Sequence, residues 1–232
     1  MKNEGVFHES WYEDKQLKLL EKKVKNTKNL EGEIIEIGCW EGKSTVVIAN
    51  ACYPENVDAV DTWKGNLDES PDHISVQIAR ERDVFSVFQE NVKKLTKGNI
   101  NPYKQDCFLY LEKLANPVKF CHIDASHDYK SVKKTLHMLL PKLVDRAIIC
   151  GDDYAAAHIG RKDLEGGVER AVKEMCPLHF SNGNFWWYIH LKKHSFLSKM
   201  IYMKLIYKKY VLRIFRICKA LAKKIALILI VG

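Results

Sequence analysis

The sequence predicts an α/β protein. Its core is a mainly parallel seven-stranded sheet with helices on both faces, closed by an antiparallel terminal hairpin, and a basic amphipathic helix is appended at the C-terminus. Three observations carry this. Short β-branched runs alternate with helical periodicities between residues 33 and 175, the pattern of strands joined by crossover helices. The pair Asn182-Gly183 sits between two apolar runs, and Asn-Gly supplies the positive φ that a tight hairpin turn needs. Residues 191–232 hold nine Lys, two Arg and no acidic residue.

The elements follow in order. Trp11 to Lys28 reads as a leading helix, with Leu17, Leu20 and Val24 on one stripe. Glu33 to Ile37 is a β-branched strand that ends at Gly38, and Lys43 to Cys52 is a helix. Val57 to Val60 is a second strand ending at Asp61. Ser70 to Thr96 is polar and then helical, with Val84, Val87, Phe88 and Val92 on one face. Asn99 to Gln105 is a third strand and Cys107 to Leu114 a short helix. Phe120 to Ile123 is a fourth strand ending at Asp124, followed by a helix over Lys130 to Leu140. Ala147 to Cys150 is a fifth strand ending at Gly151, followed by a helix over Glu165 to Met175. Leu178 to Phe180 and Phe185 to His190 form the hairpin.

Composition bounds the class. The chain has 232 residues, 47% apolar and 28% charged, the balance of a globular protein with a real core. With 12 Gly and 6 Pro it is neither collagen-like nor low-complexity. The seven Cys have no metal-finger spacing and several lie in apolar runs, so they read as thiols of a reducing compartment. Met1 to Asp14 has no hydrophobic core of a signal peptide. These features predict a cytoplasmic protein. The net charge of +8 is uneven: residues 191–232 carry +11 and the remainder 26 basic and 29 acidic residues. The predicted organisation is therefore a mildly acidic body domain over 1–190 and a basic tail over 191–232.

Ligands of open α/β sheets bind outside the carboxyl ends of the strands, and here those ends are loaded with carboxylates. The first strand ends in Glu36-x-Gly38-x-x-x-Gly42-x-Ser44, the second in Asp61, the fourth in Asp124 and the fifth in Gly151-Asp152-Asp153. Gly38 and Gly42 let backbone pass close to a bound molecule, and the helix opening at Lys43-Ser44 presents N–H groups. Asp61, about 20 residues on, is placed for ribose hydroxyls. Such a set of carboxylates on one rim calls for a cation or hydrogen-bond donors.

The stretch Glu36-Ile37-Gly38-Cys39-Trp40-Glu41-Gly42-Lys43-Ser44-Thr45 resembles the first motif of class I S-adenosylmethionine-dependent methyltransferases, which have a Rossmann-like fold. Val60 to Gly65 resembles their second acidic motif. Phe120 to Tyr129, followed by Gly151-Asp152-Asp153-Tyr154, resembles the metal-dependent O-methyltransferases of the macrocin type, which methylate sugar hydroxyls. The likeness spans roughly residues 30 to 190. It implies S-adenosylmethionine and Mg²⁺ as cofactors. Gly38 and Gly42 would flank the methionine part, with Glu36 near its amino group and Ser44 near its carboxylate. Asp61 would bind ribose, and Asp106 and Cys107 would lie at adenine. Asp124, Asp152 and Asp153 would hold Mg²⁺, and Asp124 or His127 would act as base. The acceptor implied is a hydroxyl of a small molecule or glycan.

Ala125 stands where that family usually has Gly, and the stretch between Lys64 and Arg82 has no template and is assigned to the acceptor lid. His122 lies inside a strand and reads as a core or cleft histidine. A metal-dependent glycosyltransferase is the runner-up, disfavoured because its acidic pair would not follow the fifth strand. A non-catalytic adaptor using the tail is a third reading, and the intact carboxylate set argues against it. In the tail, Tyr207, Val211, Ile214, Cys218, Leu221 and Ile225 form one helical stripe, with Lys209, Arg213, Arg216, Lys223 and Lys224 largely on another face. This predicts peripheral binding to an anionic membrane surface through residues 200–231, on the inner face of a membrane. Nucleic acid fits less well because apolar residues dominate between the basic ones.

Overall fold

The computed structural model describes residues 7–9, 11–66, 72–155 and 166–192, and residues 200, 203, 204, 206, 207 and 211 further on. The chain divides into two compact units, Met1–His190 and Leu191–Gly232.

In the first unit the strands are β1 (Glu33–Ile37), β2 (Val57–Asp61), β3 (Ile100–Lys104), β4 (Val118–Ile123), β5 (Leu143–Gly151), β6 (Phe180–Asn182) and β7 (Phe185–Ile189). They form one seven-stranded sheet in the order β3-β2-β1-β4-β5-β7-β6. The pairs from β3 through β5 are parallel, and β7 runs antiparallel to both β5 and β6. The helices are α1 (Asp14–Lys25), α2 (Lys43–Cys52), α3 (Ile74–Glu81), α4 (Val84–Leu95), α5 (Cys107–Lys113), α6 (Tyr129–Leu139) and α7 (Gly167–Met175). The chain leaves β1 toward β2 and β3, then returns to place β4 on the other side of β1. That reversal opens a crevice at the carboxyl ends of β1 and β4.

Strand alternation divides the core between two faces. Ile34, Phe120 and Ile148 stand in register across β1, β4 and β5 and pack with Leu20 and Val24 of α1 and Ile48 of α2. Their neighbours Ile35, Cys121 and Ile149 point the other way, against Leu136 and Leu139 of α6 and Val172 of α7. Both faces are covered, so these strands read as nearly continuous apolar runs. Burying each large side chain contributes about 1.5–3 kcal/mol.

Several elements differ from expectation; β5 begins at Leu143, not Ala147, and β6 covers Phe180–Asn182, not Leu178 to Phe180. The leading helix begins at Asp14, not Trp11, and its buried stripe is Gln16, Leu20 and Val24; Leu17 is only half-buried. The helical stretch before β3 is two helices, broken where the Asp83 side chain accepts a bond from Ser86 N–H and starts α4 anew. β7, with Trp186 buried, is an inner strand, and β6 forms the sheet edge. The six described cysteines are free thiols, and burial pushes Cys39, Cys121 and Cys150 well above the usual thiol range. Cys218, residues 67–71 of the assigned lid, and most of the expected tail helix lie outside the described residues.

In the second unit Met200, Met203, Lys204, Ile206, Tyr207 and Val211 are helical. Among the described residues no helix is long and apolar enough to cross a membrane.

Candidate active site

A cavity of about 730 Å³ opens at the crevice beyond β1 and β4, within the usual range for small-molecule sites. Gly38, Ser44, Asp61, Asp106, Cys107, Asp124, His127, Asp152 and Asp153 all line it. The topology assembles them because each follows the carboxyl end of a strand or opens the next helix.

The β1 side is a rigid backbone frame. Gly38 has φ +85°, and a Cβ there would stand 2.0 Å from the Asp124 carbonyl oxygen. Only glycine lets the loop after β1 pass the end of β4 this closely. Gly42, at φ +88°, turns the chain into α2. Ser44 opens that helix and is buried. Asp61 ties the loop to β2. Its Oδ2 accepts from Cys39 N–H at 2.7 Å and Trp40 N–H at 2.9 Å, and its Oδ1 accepts from Trp63 N–H at 2.7 Å. Burial pushes this carboxyl above its ordinary range, and the three N–H bonds oppose the shift. A carboxylate has about four acceptor positions, so Asp61 can still accept from a ligand hydroxyl. Asp106 caps α5, accepting from Phe108 N–H and Leu109 N–H at 2.8 and 3.2 Å.

Glu36 does not line the cavity. It is fully buried beneath it, with Oε2 accepting from Thr45 Oγ1 and Oε1 lying 3.0 Å from His122 Nδ1. Burial lowers the His122 pKa, but the Glu36 hydrogen bond and charge outweigh it and leave the imidazole above its usual value. His122 is thus a buried histidine paired with a buried carboxylate.

The β4–β5 side is electrostatically different. Ligand atoms of Asp124, His127 and Asp153 lie within 4.8 Å of one another. His127 Nε2 is 2.8 Å from Asp153 Oδ2. Asp152 borders this cluster, but its two oxygens accept from Gln16 Nε2 at 2.6 and 2.8 Å. Burial, then the neighbouring Asp153, raises the Asp124 carboxyl. Burial, then Asp124 and Asp153, raises Asp152 to about 7. Acids that raise one another in this way are the mark of a site suited to a cation, which would stabilise all their charged forms. The donors are mainly carboxylate oxygens, as a hard divalent ion prefers. Asp153 sits at φ +56° and Trp40 at φ +46°; such strain costs about 1–3 kcal/mol and clusters at functional sites.

An N-terminal strap completes the site, and no sequence motif announces it. Phe7, Glu9, Trp11 and Tyr12 line the cavity. Tyr12 Oη donates to Asp124 Oδ2. The Trp11 ring packs against Trp40 at a tilt of 35°, with ring centroids 5.3 Å apart. Glu9 accepts from Trp40 Nε1 at 3.0 Å and from Arg82 Nη2 at 2.9 Å, and Arg82 also reaches the buried Glu41 at 2.7 Å. The available sequence signal is Gln16, an amide occupying the first position of the Leu20–Val24 stripe.

A family model described as "Methyltransferase domain" matches residues 35–154. Three solved structures share the fold. The O-methyltransferase NovP is 16% identical, with a TM-score of 0.58 over 77% of this chain and 80% of that one. The O-methyltransferase from Bacillus cereus, in complex with SAH, is 15% identical, with a TM-score of 0.56 over 78% and 82%. CalS11, a TDP-rhamnose 3'-O-methyltransferase, is 14% identical, with a TM-score of 0.50 over 78% and 80%. No curated protein matches the chain.

Proposed function

The chain belongs to the methyltransferase domain family and has the class I S-adenosylmethionine-dependent methyltransferase fold, and on that premise we propose that it is a divalent-metal-dependent O-methyltransferase acting on a hydroxyl of a small molecule or sugar. The observation that carries the reading is the meeting of two halves in one cavity: the glycine loop with Asp61, and the acid cluster of Asp124, Asp152 and Asp153 with His127. A glycosyltransferase would need no such loop. The three similar structures described above are O-methyltransferases, one of them a TDP-rhamnose 3'-O-methyltransferase.

In this reading S-adenosylmethionine supplies a methyl group on a sulfonium, and Mg²⁺ supplies stabilisation of negative charge developing on the acceptor oxygen. Asp124 and Asp153 would hold the metal, with Asp152 beside them. Asp61 orients the ribose through its remaining acceptor position. Gly38 and Ser44 leave room for the methionine part, and Asp106 and Cys107 border the adenine. Glu36 supports the loop from below by way of Thr45, and its role toward the cofactor amino group is indirect. Asp124 Oδ or the His127 imidazole takes the acceptor proton; burial raises the Asp124 carboxyl and so makes it a stronger base than a free carboxylate. Asp153 holds the His127 ring and stabilises its charged form. The strap of Trp11 and Tyr12 narrows the cavity and helps exclude water, so that the acceptor oxygen and the methyl group are kept in contact geometry.

The test is incubation with methyl-labelled cofactor and a pool of hydroxylated metabolites and glycans, read by mass spectrometry. Label on a hydroxyl oxygen that disappears with excess chelator and returns with Mg²⁺ supports the reading. Full transfer in excess chelator sinks the metal dependence.

A further inference from the structure

We propose that the C-terminal segment is a docking surface for an anionic lipid bilayer, independent of the reaction chemistry. Met200, Met203, Tyr207 and Val211 are helical and are 57, 66, 72 and 45% exposed. They recur at i, i+3, i+7 and i+11, which is one face of a helix. Four large apolar side chains on one face of a helix, all open to solvent, form a surface that needs a partner.

The sequence specifies the partner's chemistry. The same spacing continues through Ile214, Cys218, Leu221 and Ile225. On a helix with 3.6 residues per turn, all eight fall within one narrow stripe. Nine Lys and two Arg accompany it over residues 191–232, with no Asp or Glu. A second copy of the segment would meet like charge along its whole length, so a homodimeric coiled coil is disfavoured. The nucleic-acid backbone would satisfy the basic residues and leave the apolar stripe in water. A leaflet rich in anionic headgroups satisfies both: the stripe enters the boundary between headgroups and acyl chains, and the Lys and Arg side chains reach the phosphates. The longest uninterrupted apolar run, Ile225–Val231, is seven residues, against the ~20 that a spanning helix needs. The segment therefore lies along the surface. Each basic residue near such a leaflet strengthens binding by about fivefold.

The experiment is co-sedimentation of the full chain with vesicles of phosphatidylcholine alone and of phosphatidylcholine mixed with phosphatidylserine, at low and high salt. Two variants accompany it: Tyr207→Asp with Val211→Asp, and Lys208→Gln with Lys209→Gln. Binding of S-adenosylhomocysteine, measured by calorimetry, reports that the catalytic unit of each is intact. The expected result is binding to the anionic vesicles at low salt, at least about tenfold stronger than to neutral ones and weakened by salt. The apolar-face variant loses about tenfold or more. The charge variant loses about 25-fold on anionic vesicles, about fivefold per lysine removed, and nothing on neutral ones. Equal binding to both vesicle types, no binding at low salt, or an apolar-face variant that partitions like the parent overturns the proposal. So does retention on duplex DNA at a salt concentration where vesicles stay unoccupied.

Discussion

The two sides of the cavity bury acidic groups at the same rim but compensate them differently. On the β1–β2 side, Asp61 is held by three backbone N–H groups from two loops. Those donors are part of the chain itself, so the carboxylate is a fixed strut and a fixed acceptor. On the β4–β5 side, Asp124, Asp152 and Asp153 face one another, and apart from the Asp153 N–H that Asp152 accepts, their donors are the side chains of Tyr12, Gln16 and His127. Side-chain donors can rotate away. One half of the site is thus preorganised by backbone, while the other keeps repelling charges that a cation or a proton must neutralise.

Asp124→Asn tests the second half hardest. It removes a charge from the cluster, so Mn²⁺ affinity, read by electron paramagnetic resonance, should fall at least about 100-fold, since a charged ligand is lost. Methyl transfer should fall with it. S-adenosylhomocysteine affinity should stay within about threefold, because Asp61 and the glycine loop are untouched. Loss of both ligands together would erase the distinction between the two sides.

Asp61→Ala probes the first half. It removes the acceptor proposed for the ribose and also releases Cys39, Trp40 and Trp63 N–H groups. S-adenosylhomocysteine affinity should fall by about 10–100-fold, as expected for losing charge-assisted hydrogen bonds of about 1.5–3 kcal/mol. Mn²⁺ affinity should change little. An unchanged cofactor affinity would remove Asp61 from the site.

The smallest effect is thermal. Asp152 is raised to about 7, above an unfolded carboxyl near ~4. Between these values the native protein holds more protons than the unfolded chain, so metal-free stability should fall as pH rises from about 4 to 7. Scanning calorimetry should find the midpoint falling as pH rises, at about 2–4 °C per kcal/mol lost for a chain of this size. Saturating Mg²⁺ should flatten the slope, and Asp152→Asn should reduce it, leaving the part that the raised carboxyls of Asp124 and Asp61 contribute. A midpoint that rises across this window would show that the acids are already compensated.

The sequence alone determined the layered α/β plan, because covered strands must be apolar on both faces and crossover helices must carry a stripe. It also determined which residues reach the rim, since Gly38, Asp61, Asp124 and Asp152-Asp153 all follow strand ends, and strand ends in a parallel sheet share one edge. Glu36 shows the limit of that logic. It is one residue before the strand ends, and the two-residue period of the strand turns its side chain into the interior, toward His122 and Thr45. Tertiary structure alone decided the neighbours across long separations. Tyr12 meets Asp124 112 residues away, and Gln16 meets Asp152 136 residues away. These contacts exist only because α1 packs on the sheet through Leu20 and Val24 and thereby carries the preceding strap across the crevice. A polar residue on an apolar stripe hints at a buried partner, but its identity depends on which strand end lies opposite, and that is set by the order of strands in the folded sheet.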